Sequence, residues 1–168
     1  MSQKPQIIFS HGKESGPYGM KITAMTKVAK ELGFSSVSLD YQGIDEPQVR
    51  VEKLLDYANA LKQSVVLVGS SMGSYVSIKA SQELTAKGLF LLAPAVFMPG
   101  YESQNMQAVA EQVLAIHGWH DEIVPVANAI RFAEQVHCDL LLLEDDHVLR
   151  NSLPRICIEF RAFLKRLS

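Results

Sequence analysis

Short continuous runs of apolar residues alternate with longer amphipathic segments along the whole chain. The apolar runs are rich in valine, leucine and isoleucine, which is typical of strands that a parallel sheet buries on both faces. Six runs are predicted as strands, at residues 7–10, 36–39, 65–68, 89–93, 113–117 and 140–143. Helical patterns separate these runs, so the sequence predicts a single α/β domain over residues 1–168.

The amphipathic segments place apolar residues at the 3.6-residue spacing of helices. The first predicted helix ends at Gly33, and Asp45 is the predicted N-cap of the second. The third is expected to stop near Gly88. The fourth carries Pro125 near its first turn, and the last begins around Ser152.

A Gly-Ser-Ser-Met-Gly motif at residues 69–73 joins the third strand to the third helix. Gly-x-Ser-x-Gly at such a junction is the sequence of a nucleophile elbow, a turn that strains the backbone of its central residue. The positions two before and two after that residue approach each other and must be nearly free of side chains. Ser71 has glycine at both positions, whereas Ser70 would have valine and methionine. Ser71 is therefore the candidate nucleophile, with an inert glycine-rich turn as the alternative interpretation.

A serine nucleophile needs a neighbouring base and a group that orients that base. In an open parallel sheet, such groups gather just beyond the carboxyl ends of the strands. Asp121 follows the fifth predicted strand and His147 follows the sixth, which gives the chain order Ser, Asp, His of α/β-hydrolases. Asp145 and Asp146 compete for the role of the acid. Because side chains next to a histidine diverge from its ring, Asp121 is favoured.

With these residues the chain resembles the α/β-hydrolase superfamily along nearly its whole length. The matching stretches are residues 11–12, 69–73, 117–125 and 146–147. Within the superfamily the chain looks like the small, cap-less bacterial esterases and the dienelactone-hydrolase-like proteins. The resemblance implies a three-layer α/β/α sandwich, with a six-stranded parallel sheet of order 2-1-3-4-5-6 and no cap domain. It also implies that Asp121 orients His147, which deprotonates Ser71.

Acyl transfer also needs two N–H donors aimed at the negative charge that develops on the carbonyl oxygen. Met72, the residue after the candidate nucleophile, would supply one of them from the start of a helix. By resemblance, the other comes from the loop after the first strand, at Gly12 or at Lys13, with Lys13 preferred. A plain glycine-rich turn between strand and helix is the alternative interpretation of this loop.

Three residues are candidates for the substrate pocket, namely His11, Tyr18 and Trp119. Residues 94–111 lie where larger relatives insert a cap domain, and they have room for a loop and at most a short helix. The sequence therefore predicts an open, shallow pocket that favours small or short-chain acyl groups.

Composition and charge narrow the classes of partner. The net charge of −2 offers no electrostatic basis for binding nucleic acid or an anionic membrane. No run approaches the roughly 18 apolar residues of a membrane span. The first apolar run is too short for a signal peptide, so a cytoplasmic location is expected.

Cys138 and Cys157 are expected to be core residues, and His117, His120 and Asp121 match no common zinc spacing. No metal or organic cofactor is expected.

The sequence thus predicts a serine hydrolase of the carboxylesterase or thioesterase type, which cleaves a small ester or thioester through an acyl-enzyme on Ser71. The enzyme would act as a monomer or a small homo-oligomer. The alternative is a binding or interaction protein on the same scaffold, against which the intact Ser71, Asp121 and His147 argue. A third possibility uses the same residues for cofactor-free perhydrolysis or carbon–carbon bond cleavage.

Overall fold

The computed structural model describes residues 3–167 as a six-stranded sheet covered by helices on both faces. In chain order the elements are β1 (Gln6–Ser10), α1 (Met20–Glu31), β2 (Ser36–Leu39), α2 (Pro47–Ala60), β3 (Val65–Ser70), α3 (Met72–Ser81), β4 (Ala86–Leu92), β5 (Ala110–Gly118), α4 (Val126–Val136), β6 (Asp139–Leu143) and α5 (Leu153–Arg166). All neighbouring strands are parallel, in the order β2-β1-β3-β4-β5-β6. The predicted sandwich and strand order are confirmed.

The sheet separates two hydrophobic clusters, and successive strand residues point into opposite ones. In β1, Ile8 packs under α2, α3 and α4, whereas Ile7 and Phe9 pack under α1 and α5. In β3, Leu67 joins the first cluster and Val66 joins the second. Because both faces of these strands are buried, their sequences are continuous apolar runs instead of alternating ones.

Two predicted helix boundaries are wrong. Helix α2 has Glu46 as its N-cap residue instead of Asp45, because Pro47 has a fixed φ suited to the first helical position and lacks the N–H that would need a cap. Helix α3 ends at Ser81, and Gly88 lies inside β4. A Cβ atom at Gly88 would come within 2.7 Å of the Phe163 ring, so this glycine allows α5 to pack closely on the sheet.

The other boundaries agree with the sequence pattern. Gly33 follows α1 with a φ of 76°, the left-handed conformation that commonly ends a helix. Ser152 is the N-cap residue of α5. Cys138 and Cys157 are free and half-buried rather than fully buried, and they pack on opposite core clusters.

The connection between β4 and β5 is an irregular loop over residues 93–109. Several contacts hold this loop on the helices beneath it. Tyr101 packs edge-on against Tyr75 of α3 at 4.8 Å between ring centroids, and Asn128 of α4 donates a 2.9 Å hydrogen bond to the Val96 carbonyl. Within residues 3–167, no helix has both the length and the apolar character needed to cross a membrane.

Candidate active site

The parallel sheet brings three loops together at the carboxyl ends of its strands. Ser71 directly follows β3, Asp121 follows β5 and His147 follows β6. In the sheet, two strands, β4 and β5, separate β3 from β6. The loops after β5 and β6 therefore reach toward β3, where their side chains meet Ser71.

Ser71 occupies a sharp turn between β3 and α3, with φ 54° and ψ −118°. A non-glycine residue with positive φ of this kind costs on the order of 1–3 kcal/mol and persists only where its surroundings impose it. Here the Ser71 N–H donates to the Leu92 carbonyl at 2.9 Å, and its own carbonyl accepts from the N–H groups of Ser74 and Ala95. These bonds hold the strained conformation in place.

The two glycines of the elbow are required by close backbone contacts. A Cβ atom at Gly69 would collide with the Gly73 carbonyl, and one at Gly73 would collide with the carbonyl of Ser10 at the end of β1. The spacing that distinguished Ser71 from Ser70 thus corresponds to a physical crossing of the backbone. It also brings the end of β1 against the start of α3.

Ser71, His147 and Asp121 form a continuous chain of hydrogen bonds. His147 Nε2 lies 2.9 Å from Ser71 Oγ, and His147 Nδ1 lies 2.7 Å from Asp121 Oδ2. Burial alone would raise the pKa of Asp121, but the hydrogen bonds from His147, Val124 and Ile123 outweigh burial and lower that pKa. An ionised Asp121 can only accept, so Nδ1 of His147 donates to it, and Nε2 is the ring nitrogen that faces the Ser71 hydroxyl.

His117 gives Asp121 a further partner from below. Its side chain is fully buried at the end of β5, with Nε2 at 3.2 Å from Asp121 Oδ2 and 2.9 Å from the Val124 carbonyl. Burial lowers the pKa of His117, so the ring is neutral. Both neighbours of Nε2, the Asp121 carboxylate and the Val124 carbonyl, are acceptors. Nε2 therefore carries the proton and donates a hydrogen bond that the two oxygens share. The sequence predicted only that His117 packs under the site.

Asp145 and Asp146, the two other candidates for the orienting acid, accept hydrogen bonds from groups other than His147. The Asp145 carboxylate accepts from the N–H and the hydroxyl of Ser152, at 2.8 and 2.7 Å, and so caps α5. Asp146 accepts from the Val148 N–H. Gly118 at the end of β5 lets this loop approach, because a Cβ atom there would run into the Asp145 carbonyl.

The histidines and acids near the site do not converge on a metal position. His120 is exposed and pairs with Glu144, away from His117 and Asp121. Among the residues that the structure describes, no group of three His, Cys, Asp or Glu side chains could hold a metal ion.

The residues predicted for the oxyanion hole flank Ser71 on both sides. Met72 is the first residue of α3, where an N–H has no partner within its helix. A Cβ atom at Gly12 would lie 3.5 Å from Ser71 Cβ, so the loop after β1 runs directly beside the elbow. In the described part of the chain, no hydrogen bond uses the N–H of Met72, Gly12 or Lys13.

A cavity of about 710 Å³ opens at Ser71 and His147, within the usual range for small-molecule sites. Of the predicted pocket residues, His11 lines the cavity, whereas Tyr18 and Trp119 do not. Tyr18 is 82% exposed and Trp119 is 50% exposed, so the structure does not bring these two side chains into the cavity wall. Both lie in loops, where an aromatic residue type does not fix the direction of its side chain.

The sequence analysis missed several residues of the cavity wall, which are Met20, Lys21, Ile22, Met98, Tyr101, Ile123, Val124, Val148 and Arg150. Lys21 is notable because its ammonium group donates to the Val148 carbonyl at 2.9 Å, next to His147. Burial lowers the pKa of Lys21. These residues carry no motif, and only the folding of α1 and of the loops over the elbow brings them to the site.

Comparison with known proteins agrees with this architecture. The family model described as phospholipase/carboxylesterase matches residues 1–166. A protein from Xanthomonas campestris pv. campestris, described as a hydrolase of the α/β superfamily, is 32% identical, with a TM-score of 0.90 over 98% of this chain and 100% of that one. No curated protein matches the chain.

Two more distant structures share the fold. Est1E from Butyrivibrio proteoclasticus is 19% identical, with a TM-score of 0.80 over 99% of this chain and 89% of that one. A serine hydrolase without a lid from Xanthomonas campestris is 20% identical, with a TM-score of 0.75 over 97% and 82%. Since the family match spans nearly the whole chain, this protein belongs to the phospholipase/carboxylesterase family of α/β-hydrolases.

Proposed function

We propose that this protein is a serine hydrolase that cleaves a small carboxylic ester or thioester through an acyl-enzyme on Ser71. The observation that carries the proposal is the hydrogen-bonded chain from Ser71 Oγ through His147 to Asp121, with Ser71 held at positive φ. Strain of this kind at a residue that faces a cavity is typical of a functional site. The proposed chemistry requires no metal or organic cofactor.

In the first half of the reaction, Ser71 Oγ attacks the carbonyl carbon of the substrate while His147 Nε2 takes the serine proton. The carbonyl oxygen becomes negatively charged and is stabilised by the N–H of Met72 and by that of Lys13 or Gly12. When the tetrahedral intermediate collapses, the bond to the alcohol or thiol breaks and His147 gives its proton to that leaving group. Asp121 stabilises the imidazolium while it carries the extra proton.

In the second half, His147 takes a proton from a water molecule, whose oxygen attacks the acyl carbon. A second tetrahedral intermediate forms at the same N–H donors. Its collapse breaks the bond to Ser71 Oγ, releases the carboxylic acid, and returns the proton from His147 to Ser71. The enzyme is then restored to its starting protonation state.

We expect short acyl chains to be preferred. The cavity walls are largely apolar, but the described chain has no cap domain that could cover a long chain. Methylene groups that extend past the walls stay in water and gain no burial energy. Across a series of p-nitrophenyl esters, kcat/KM should be highest for short acyl groups and fall for long ones. A steady rise toward long chains would contradict this expectation.

Covalent labelling tests the proposed function itself. A fluorophosphonate should add one adduct to the intact mass of the wild-type protein, and the adduct should be absent from Ser71→Ala. A well-folded wild type that forms no adduct would favour the binding-protein alternative. Release of peracid from acetate and peroxide would instead favour perhydrolysis by the same residues.

A further inference from the structure

Arg50 of α2 is a buried cation that forms no direct ion pair with a described acidic residue. Its side chain is only 1% exposed, and no ion pair within residues 3–167 includes it. The guanidinium group instead donates to backbone carbonyls, with Nε at 2.7 Å from the oxygen of Ile44. Arginine stays protonated in proteins, and removing a charge from water is costly. A buried guanidinium that forms no direct ion pair in the described chain therefore calls for an explanation beyond packing.

The Arg50 guanidinium also lies over the Tyr41 ring, with Cζ 5.4 Å from the ring centroid. Its remaining hydrogen bonds are with the loop beside the candidate nucleophile. Its Nη1 donates to the carbonyl oxygens of both His11 and Gly12, each at 3.2 Å. All described peptide bonds are trans, so the N–H of each peptide points opposite to its C=O. By holding the Gly12 carbonyl, Arg50 directs the Lys13 N–H away from itself. The same argument applies to the His11 carbonyl and the Gly12 N–H.

His11 holds the Gly12 carbonyl from a second direction. His11 Nε2 must accept the hydrogen bond from the Tyr41 N–H, at 2.8 Å, because a backbone N–H can only donate. Burial lowers the pKa of His11, so the ring is neutral and its one proton is on Nδ1. That proton is donated to the Gly12 oxygen at 2.8 Å. Gly12 O thus receives two strong donors on its buried side.

The opposite side of the Gly12–Lys13 peptide faces the cavity. Lys13 lines the cavity, Gly12 lies alongside Ser71, and the N–H of Lys13 is free in the described chain. A hydrogen bond from a cation to the carbonyl also polarises the peptide, which makes the N–H at its other end a stronger donor. The positive charge of Arg50 would then be balanced, through this peptide, by the negative oxygen of the tetrahedral intermediate.

We propose that Arg50 is a positioning residue of the oxyanion hole, which orients and polarises the Gly12–Lys13 peptide so that the Lys13 N–H stabilises the oxyanion. This inference rests on the proposed serine hydrolase function and assigns the second N–H donor to Lys13. Arg50 does not touch the substrate. It acts through one peptide, and its contribution is largest when the carbonyl oxygen carries a full negative charge.

The test is the kinetics of Arg50→Met and Arg50→Lys on a short-chain p-nitrophenyl ester. Methionine fills similar volume without charge, and we expect kcat to fall by about 10²-fold, as when an oxyanion donor is lost. KM should change little, because the uncharged ground-state carbonyl gains little from the hole. Lysine keeps a cation and should restore part of kcat. Affinity for a boronic acid, which forms a tetrahedral adduct on the serine, should weaken in parallel with kcat.

Two control variants test whether a lower kcat could arise from the loss of any nearby positive charge or from lower stability of the fold. Lys53→Met removes a cation that lies near the same Tyr41 ring and binds the Asp40 carbonyl, without contact to the loop after β1, and it should keep wild-type kcat. Phe163→Leu loosens the core beneath α5 on the other face of the sheet. It supplies a variant of lowered unfolding temperature whose kcat should stay near that of the wild type.

The outcomes distinguish this inference from the proposed function. Unchanged kcat in folded Arg50→Met, or an equal loss of kcat in Phe163→Leu at matched stability, would overturn the positioning role alone. If Arg50→Met does not fold, Arg50→Lys provides the test. A reduced kcat at unchanged KM in that variant would support the positioning role, and a wild-type kcat would overturn it. A wild type that neither hydrolyses esters nor reacts with a fluorophosphonate would overturn the proposed function and this inference together.

Discussion

Replacement of His147 by alanine is expected to lower kcat for ester hydrolysis by about 10⁶-fold, as is replacement of Ser71, since such residues act as a unit. His147 Nε2 is 2.9 Å from Ser71 Oγ, the distance at which the ring can take the serine proton. Without it, Ser71 keeps its proton and is a poor nucleophile at neutral pH. Steady-state kinetics with an activated ester, together with the rate of fluorophosphonate labelling, would measure the loss.

His120→Ala is the matched control for this variant. His120 lies on the loop that carries Asp121, but it is exposed and pairs with Glu144 instead of Ser71 or Asp121. Its removal should leave both kcat and the labelling rate near wild type. Comparable losses in the two variants, or normal turnover in His147→Ala, would show that His147 is not the base.

Asp121→Asn is expected to lower kcat by about 10⁴-fold while the fold is retained. Oδ1 of Asp121 accepts from the N–H groups of Ile123 and Val124, so the amide oxygen of asparagine will occupy that position. The amide nitrogen then takes the place of Oδ2 and donates to Nδ1 of His147. The ring is thereby held with its proton on Nε2, where it can no longer accept the proton of Ser71.

Circular dichroism would establish that Asp121→Asn is folded, and kcat on the same ester would give the size of the effect. Asp145→Asn is the matched control, because Asp145 is near His147 in sequence but caps α5 through Ser152. That variant should lose stability and keep most of its turnover. If Asp145→Asn lost more kcat than Asp121→Asn, Asp145 would be the better candidate for the orienting acid.

The sheet could be predicted from the sequence because its strands are buried on both faces. Continuous runs such as residues 65–68 have no other stable placement in a chain of alternating strands and helices. Boundaries that depend on distant contacts could not be predicted. Gly88 looks like a helix stop in the sequence, and only the Phe163 ring, 75 positions further on, explains why glycine is needed inside β4.

The residues of the candidate site also differ in how far the sequence alone could predict them. Ser71, Asp121 and His147 could be brought together from the sequence because each lies just beyond the carboxyl end of a strand of the sheet. Arg50 could not, since it lies 38 positions from Gly12 and its hydrogen bonds go to backbone carbonyls, which every residue type carries. The direction of exposed side chains such as Tyr18 and Trp119 is equally beyond a residue pattern.

The loop at residues 93–109 contributes Ala95, Met98 and Tyr101 to the wall of the cavity. Because the loop is fastened to α3 and α4, this part of the wall is in place before any substrate arrives. Substrate and product would pass without a gate that must open, so the rate of turnover would be set by bond making and breaking. An acyl group left on Ser71 would then face the surrounding solution directly. Water would share access to it with any small alcohol, thiol or amine, and the products formed would depend on what the solution contains.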